Sequence, residues 1–67
     1  MKNLSRPLNK EILVGKLVKI GYIKKKENNV GIVLDVDEEK TRIICKVYLF
    51  GKKVVHSVLL RWIELVN

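Results

Sequence analysis

The feature that most constrains the fold is the alternation of apolar side chains between Val30 and Phe50, in VGIVLDVDEEKTRIICKVYLF. A period of two places alternate residues on one face of a β-strand, and it occurs on both sides of a short acidic stretch. The pattern predicts two strands joined by a turn at residues 37–40. The apolar rows are Val30, Ile32, Leu34 and Val36 in the first strand, and Ile43, Cys45, Val47 and Leu49 in the second, where the row is expected to fill the core.

Length and cysteine content set limits on the class of protein. A chain of 67 residues forms one domain and has a single cysteine, which excludes a disulfide framework and a zinc ribbon. Because Cys45 lies on the apolar face of its strand, we expect a buried and unreactive thiol. The lone cysteine predicts the reducing cytoplasm as the compartment. The sequence has no apolar run of the ~18 residues that a membrane span requires, and its N-terminus does not read as a signal peptide, so no membrane partner is expected.

The segment before the hairpin allows two interpretations. Residues 1–11 contain Pro7 and are expected to form an N-terminal arm. Residues 11–23 predict the first strand, because β-branched residues alternate there and Gly15 and Gly21 disfavour a helix. A helix within residues 8–20 is the alternative, since Leu8 and Ile12 partly fit a helical period. Residues 24–29, KKKENN, are predicted to be a connecting loop.

Three further elements follow the hairpin. Residues 51–53, Gly-Lys-Lys, predict a tight turn with Gly51 at positive φ, and residues 54–56 the fourth strand. Residues 57–61 predict one short helical turn capped by Ser57, and residues 62–66 the closing strand. The predicted fold is therefore all-β: a small five-stranded barrel over residues 12–67, with one short 3-10 turn before the last strand.

The order of these pieces resembles that of SH3-like small β-barrels, and more narrowly of the short SH3-like proteins of tailed bacteriophages. The resemblance extends over about residues 13–66, and KOW modules are similar more distantly. The matching pieces are VGKLV at residues 14–18, GIV at 31–33, VYLFGK at 47–52, HSVL at 56–59 and IELV at 63–66. The resemblance implies a binding module and not an enzyme, located in the host cytoplasm if it is phage-encoded.

The charge distribution indicates which partners such a module would bind. The net charge is +7, and the charges are unevenly placed along the chain. Residues 1–34 hold eight basic and two acidic side chains, residues 35–39 hold four acids, and residues 40–67 hold six bases and one acid. A basic surface of this kind favours phosphate backbones or acidic protein surfaces. The alternative is that the charge serves solubility alone.

The outward face of the second hairpin strand carries the candidate binding residues. If the apolar row fills the core, the outward face carries Arg42, Ile44, Lys46, Tyr48 and Phe50. Rings that stack on bases, interleaved with cations that hold phosphates, are typical of single-stranded nucleic-acid binding. Packing of the rings under the N-terminal arm or a partner subunit is the alternative. The predicted contacts are Lys24, Lys25, Lys26, Arg42, Lys46, Lys52 and Lys53 for phosphates, and Tyr48 and Phe50 for bases.

No catalytic, metal or cofactor site is predicted. The acids at residues 35–39 lack the glycine and ligand spacing of a calcium loop, so a solvated turn is expected. His56 lacks ligands at metal spacing, and Trp62 is expected to be a packing anchor. The leading hypothesis is a non-enzymatic module that binds nucleic acid, RNA or DNA. The alternatives are a protein-docking module that uses Ile44, Tyr48 and Phe50 against an acidic phage or host partner or in a virion, and a homo-oligomer formed through edge strands.

Overall fold

A computed structural model describes residues 9–66 as one antiparallel sheet with short helical pieces. The elements are α1 (Asn9–Leu13), β1 (Leu17–Ile20), a 3-10 turn (Lys26–Asn28), β2 (Val30–Glu38), β3 (Ile43–Leu49), β4 (Val54–Leu59), a second 3-10 turn (Leu60–Trp62) and β5 (Ile63–Leu65). The strand order is β4-β3-β2-β1-β5, a meander whose fifth strand returns to pair with the first. The predicted all-β fold, with five strands and a 3-10 turn immediately before the last, is confirmed.

The N-terminal part of the predicted first strand is helical instead. The strand predicted over residues 11–23 begins only at Leu17, and the alternative of a helix is correct for Asn9–Leu13. Leu13 is buried and packs in the core, so this turn of helix covers apolar surface that the sheet leaves open. Gly15 ends the helix at φ 88°, a conformation that favours glycine, and its N–H donates to the Val33 carbonyl at 2.8 Å. Most of the predicted arm lies outside the described residues.

A β-bulge in β2 reverses the predicted alternation. Pairing with β3 reaches Val33 opposite Val47 and resumes at Asp35, which leaves Leu34 as the extra residue. Because one inserted residue moves all later side chains to the other face, Val33 and Val36 are both buried. Leu34 is 48% exposed, so the prediction that it shares a face with Val36 is wrong.

The core lies against the inner face of the sheet, as predicted for β3. Of the predicted β3 row, Cys45, Val47 and Leu49 are fully buried in the core. Ile43, the first residue of the row, is half-buried. The predicted burial of Cys45 is confirmed, and burial raises the pKa of its thiol, because a thiolate is poorly solvated there. The core side chains are Leu13, Val18, Ile20, Val33, Val36, Cys45, Val47, Leu49 and Val58.

The end of β4 differs from the prediction. Ser57 was expected to cap the helical turn, but it lies within β4 opposite Lys46 and the turn begins at Leu60. The ladder to β3 continues to Leu59 opposite Ile44, and these added pairs extend the strand over the predicted cap. Across residues 9–66, no helix has the length and apolar character needed to cross a bilayer.

Candidate nucleic-acid interface

Two lysine-bearing loops that are distant in sequence meet at one end of the sheet. Gly51, in the β3–β4 turn, packs directly on the β1–β2 loop: a Cβ added to it would overlap the carbonyl oxygen of Glu27 and would lie 2.8 Å from Oδ1 of Asn28. A glycine is therefore required for this close approach. The contact joins residues 24–26 and residues 52–53 into one exposed group, here called the basic end. Its lysines are Lys24, Lys25, Lys26, Lys52 and Lys53.

The backbone of the β1–β2 loop is held by a buried asparagine. Asn29 is 5% exposed, and its amide Nδ2 donates a hydrogen bond to the Ile23 carbonyl at 3.2 Å. Its own carbonyl accepts from the Ile20 N–H at 2.8 Å. The loop is thus tied to the sheet at both ends, and the lysines extend from a fixed backbone.

The β3–β4 turn confirms the predicted position but not the predicted conformation. Lys53, and not Gly51, has positive φ, at 57°. Its N–H donates to the Leu49 carbonyl at 2.7 Å and closes the turn. Gly51 is needed for steric reasons, because it contacts Glu27, and not for a left-handed backbone.

Tyr48 and Phe50 lie on the outward side of β3 next to the basic end. Their ring centroids are 6.0 Å apart at an interplanar angle of 66°, an edge-to-face contact. Phe50 is 44% exposed and directly precedes the turn that carries Lys52 and Lys53, whereas Tyr48 is half-buried. The structure therefore brings both predicted stacking residues to the five lysines.

The same outward side carries an apolar row across four strands. The members are successive cross-strand partners, and those on β1 and β4 are exposed. They are Leu17, Ile32, Tyr48 and Val55. Of these residues, only Tyr48 is predicted from the sequence as a binding residue, because alternation shows that a strand has two faces but not which face its neighbours bury.

Arg42 lies at the opposite end of the sheet from the five lysines. It precedes β3, whereas Phe50 follows it, so the two are about 26 Å apart at roughly 3.3 Å per residue. Its Nε donates to Oε1 of Glu39 at 2.9 Å, and this hydrogen bond raises the pKa of the Arg42 guanidinium. The carboxylate partly neutralises Arg42, and the structure does not bring it to the basic end.

Lys46 lies midway along β3, in an acidic neighbourhood. Its partner on β2 is Asp35, whose carboxylate also pairs with Lys10 of α1 at 3.3 Å. The Val36 N–H, which donates to Asp35 at 2.9 Å, lowers the pKa of that carboxyl most, followed by Lys10 and then Lys46. Lys46 thus faces a carboxylate that already has a cationic partner. The two ends of the sheet differ in charge, with acids of residues 35–39 at one end and the five lysines at the other.

A second exposed aromatic pair lies at the start of the β1–β2 loop. Tyr22 and Trp62 meet edge to face, with centroids 5.5 Å apart at 89°. The Trp62 carbonyl accepts from the Gly21 N–H at 2.8 Å, and the indole packs over Gly21, which agrees with the predicted packing anchor. Trp62 is nevertheless 41% exposed and Tyr22 44%. Tyr22 was not predicted, although an aromatic residue two positions before a lysine run was a usable signal.

The remaining polar groups do not form a further constellation. Within residues 9–66, no three His, Cys, Asp or Glu side chains lie together as metal ligands would. His56 is half-buried on β4 opposite Val47. Searches against known protein families, curated proteins and solved structures found no match. The resemblance to SH3-like phage proteins stays a prediction.

Proposed function

We propose that this protein is a non-enzymatic module that binds nucleic acid at the basic end of its sheet. The observation that carries the proposal is the contact of Gly51 with Glu27, which joins two lysine-bearing loops. Residues 21–29 and 50–53 together contain five lysines and one acid, Glu27. Phe50 and Tyr48, beside this group, offer ring faces to bases.

The binding energy would come from counterion release and stacking. For single strands, the slope of log K against log salt is about −0.7 per neutralised phosphate, so five lysine contacts give about −3.5. Raising the salt from about 50 to about 200 mM would then weaken binding roughly 100-fold. Seven contacts, with Arg42 and Lys46 included, would give a slope of about −4.9. The geometry favours five, because Arg42 pairs with Glu39 at the opposite end of the sheet and Lys46 lies midway along β3, away from the basic end.

Fluorescence anisotropy of labelled oligonucleotides at several salt concentrations tests the proposal. Replacing Lys24, Lys25 and Lys26 together by Gln should make the slope of log K against log salt shallower by about 2. Lys40→Gln is the matched control, because Lys40 is an exposed lysine in the acidic β2–β3 turn. No binding of RNA or DNA at low salt, or an equal loss in the control, would contradict the proposal.

Protein docking is the second candidate function, and the apolar row favours it. Leu17, Ile32, Tyr48 and Val55 form a continuous surface that a partner could cover, while the lysines steer an acidic protein towards it. Capture from nuclease-treated lysate separates the two functions, since a partner held through nucleic acid is lost. Light scattering, which measures the molecular mass in solution, tests the third alternative, a homo-oligomer formed through edge strands. Both functions are proposed for the cytoplasm, that of the host if the chain is phage-encoded.

A further inference from the structure

The Tyr22–Trp62 pair lies at the end of β1 and the start of β5. Ile63 of β5 is the register partner of Ile20 of β1, and Ile20 is fully buried, so this pair points to the core. Gly21 and Trp62 directly flank these strands and continue their pairing, since the Gly21 N–H donates to the Trp62 carbonyl, and the indole lies over Gly21. Phe50 directly follows β3 and continues its pairing with β2, since its N–H donates to the Val30 carbonyl at 3.1 Å.

Contacts within the protein hold the rings of the Tyr22–Trp62 pair in place without a ligand. The Gly21 N–H fixes the backbone of Trp62, and a Cβ on Gly21 would lie 3.6 Å from the indole Cε3, at ordinary contact distance. The Tyr22 ring meets the indole edge to face, at an interplanar angle of 89°. Ordered rings lose little conformational entropy when a base stacks on them.

The charge around the pair suits a phosphate backbone. Tyr22 precedes Lys24 by two residues, so the lysine run begins beside the rings and continues to the contact with the β3–β4 turn. The nearby acid Glu64 has a cationic register partner, Lys19 on β1. Three strand spacings separate β5 from β3, about 14 Å at ~4.8 Å each. The β1–β2 loop, with Lys24, Lys25 and Lys26, thus lies between the strands that carry the two aromatic pairs.

We propose that the ligand is specifically single-stranded nucleic acid, with unpaired bases stacked on both Tyr22–Trp62 and Tyr48–Phe50 and phosphates held by the lysines of the basic end. This inference rests on the proposed function and extends it to a ligand class. In a duplex the base faces are already stacked inside the helix, whereas a single strand can turn its bases onto exposed rings.

The experiment uses the fluorescence of Trp62, the only tryptophan of the chain. Unlabelled oligothymidine or oligouridine, which distinguish DNA from RNA, is titrated into the protein while indole emission is recorded. Anisotropy of labelled oligonucleotide measures binding independently. We expect indole quenching with the same midpoint as the anisotropy change, and a loss of affinity of about fivefold to a hundredfold for Tyr22→Ala. Tyr22→Phe is the matched control, because it keeps the ring, and circular dichroism checks that both variants fold.

The outcomes separate this inference from the proposed function. Binding by anisotropy with unchanged indole emission, or with full affinity in Tyr22→Ala, would overturn the second stacking site and leave nucleic-acid binding in place. Equal affinity for a duplex of the same length would overturn the single-strand assignment. No anisotropy change with any oligonucleotide at low salt would remove the proposed function itself, and a protein partner would then explain the exposed rings.

Discussion

Replacing Gly51 by alanine tests the contact on which the proposed interface depends. The added Cβ would overlap the Glu27 carbonyl oxygen and would lie 2.8 Å from Oδ1 of Asn28. The first obstacle is a backbone atom of a tethered loop, so relief requires movement of the loop or the turn. Overpacking of this kind costs about 1–3 kcal/mol. For a domain of this size we expect the melting temperature to fall by roughly 5–20 °C.

Gly21→Ala is the matched control for stability, because it introduces the same methyl group where there is room. A Cβ on Gly21 would lie 3.5 Å from the Trp62 carbonyl oxygen, at ordinary contact distance. Alanine also reduces the entropy of the unfolded chain, so this variant should be as stable as the wild type or slightly more stable. Thermal denaturation followed by circular dichroism compares the two variants directly.

The Gly51 variant should also bind nucleic acid less tightly. Moving the β3–β4 turn away from the β1–β2 loop separates residues 24–26 from residues 52–53, so fewer phosphates are held together. The slope of log K against log salt should become shallower, from about −3.5 to about −2.1, the value expected for three contacts. Wild-type stability and an unchanged slope in Gly51→Ala would show that the two loops do not touch, and would refute the reasoning.

Three further predictions concern the fold. Val33→Ala should lower the free energy of unfolding in urea by about 2 kcal/mol and Leu34→Ala by well under half of that, because Val33 is 1% exposed and Leu34 48%; the reverse order would contradict the bulge. The Cys45 thiol should react with a disulfide reagent on the order of a thousandfold more slowly in the native protein than in urea, and rapid native labelling would contradict its burial. The Asp35 carboxyl, whose pKa is below its ordinary 3.8, favours the folded state above that pH, and this contribution is lost as the pH falls through the lowered pKa. Melting between about pH 5 and about pH 2 should therefore be less pH-dependent in Asp35→Asn than in the wild type, and equal profiles would contradict this assignment.

The β3 row shows how far the sequence predicts the fold. Alternation with period two identified the strand and its buried side from Cys45 to Leu49, because a strand's two faces follow from backbone geometry alone. The same reasoning failed in β2, because the bulge at Leu34 depends on pairing with β3. It failed again before β1, where the helix is stabilised by packing of Leu13 in the core.

The candidate site was predicted as a set of residues but not as an arrangement. Lysine runs and aromatic positions are visible in the sequence, and the structure brings five of the seven predicted cations together with both predicted rings. Arg42 could not be separated from the others by sequence, since its pairing with Glu39 depends on the turn that brings the two side chains to 2.9 Å. The sequence predicts Trp62 as a packing anchor. In the structure 41% of its surface is nevertheless exposed, and this fraction depends on which segments pack around it.

By itself, the sequence determined that this protein is a small, basic, all-β domain with five strands and a buried apolar row in β3. These properties follow from local periodicity, turn residues and net charge, which act over a few neighbouring positions. The tertiary structure alone decided the bulge, the helix before β1 and the meeting of the two lysine loops at Gly51. Each of these depends on contacts between segments distant in the chain, and the free energy of such contacts is absent from any local pattern.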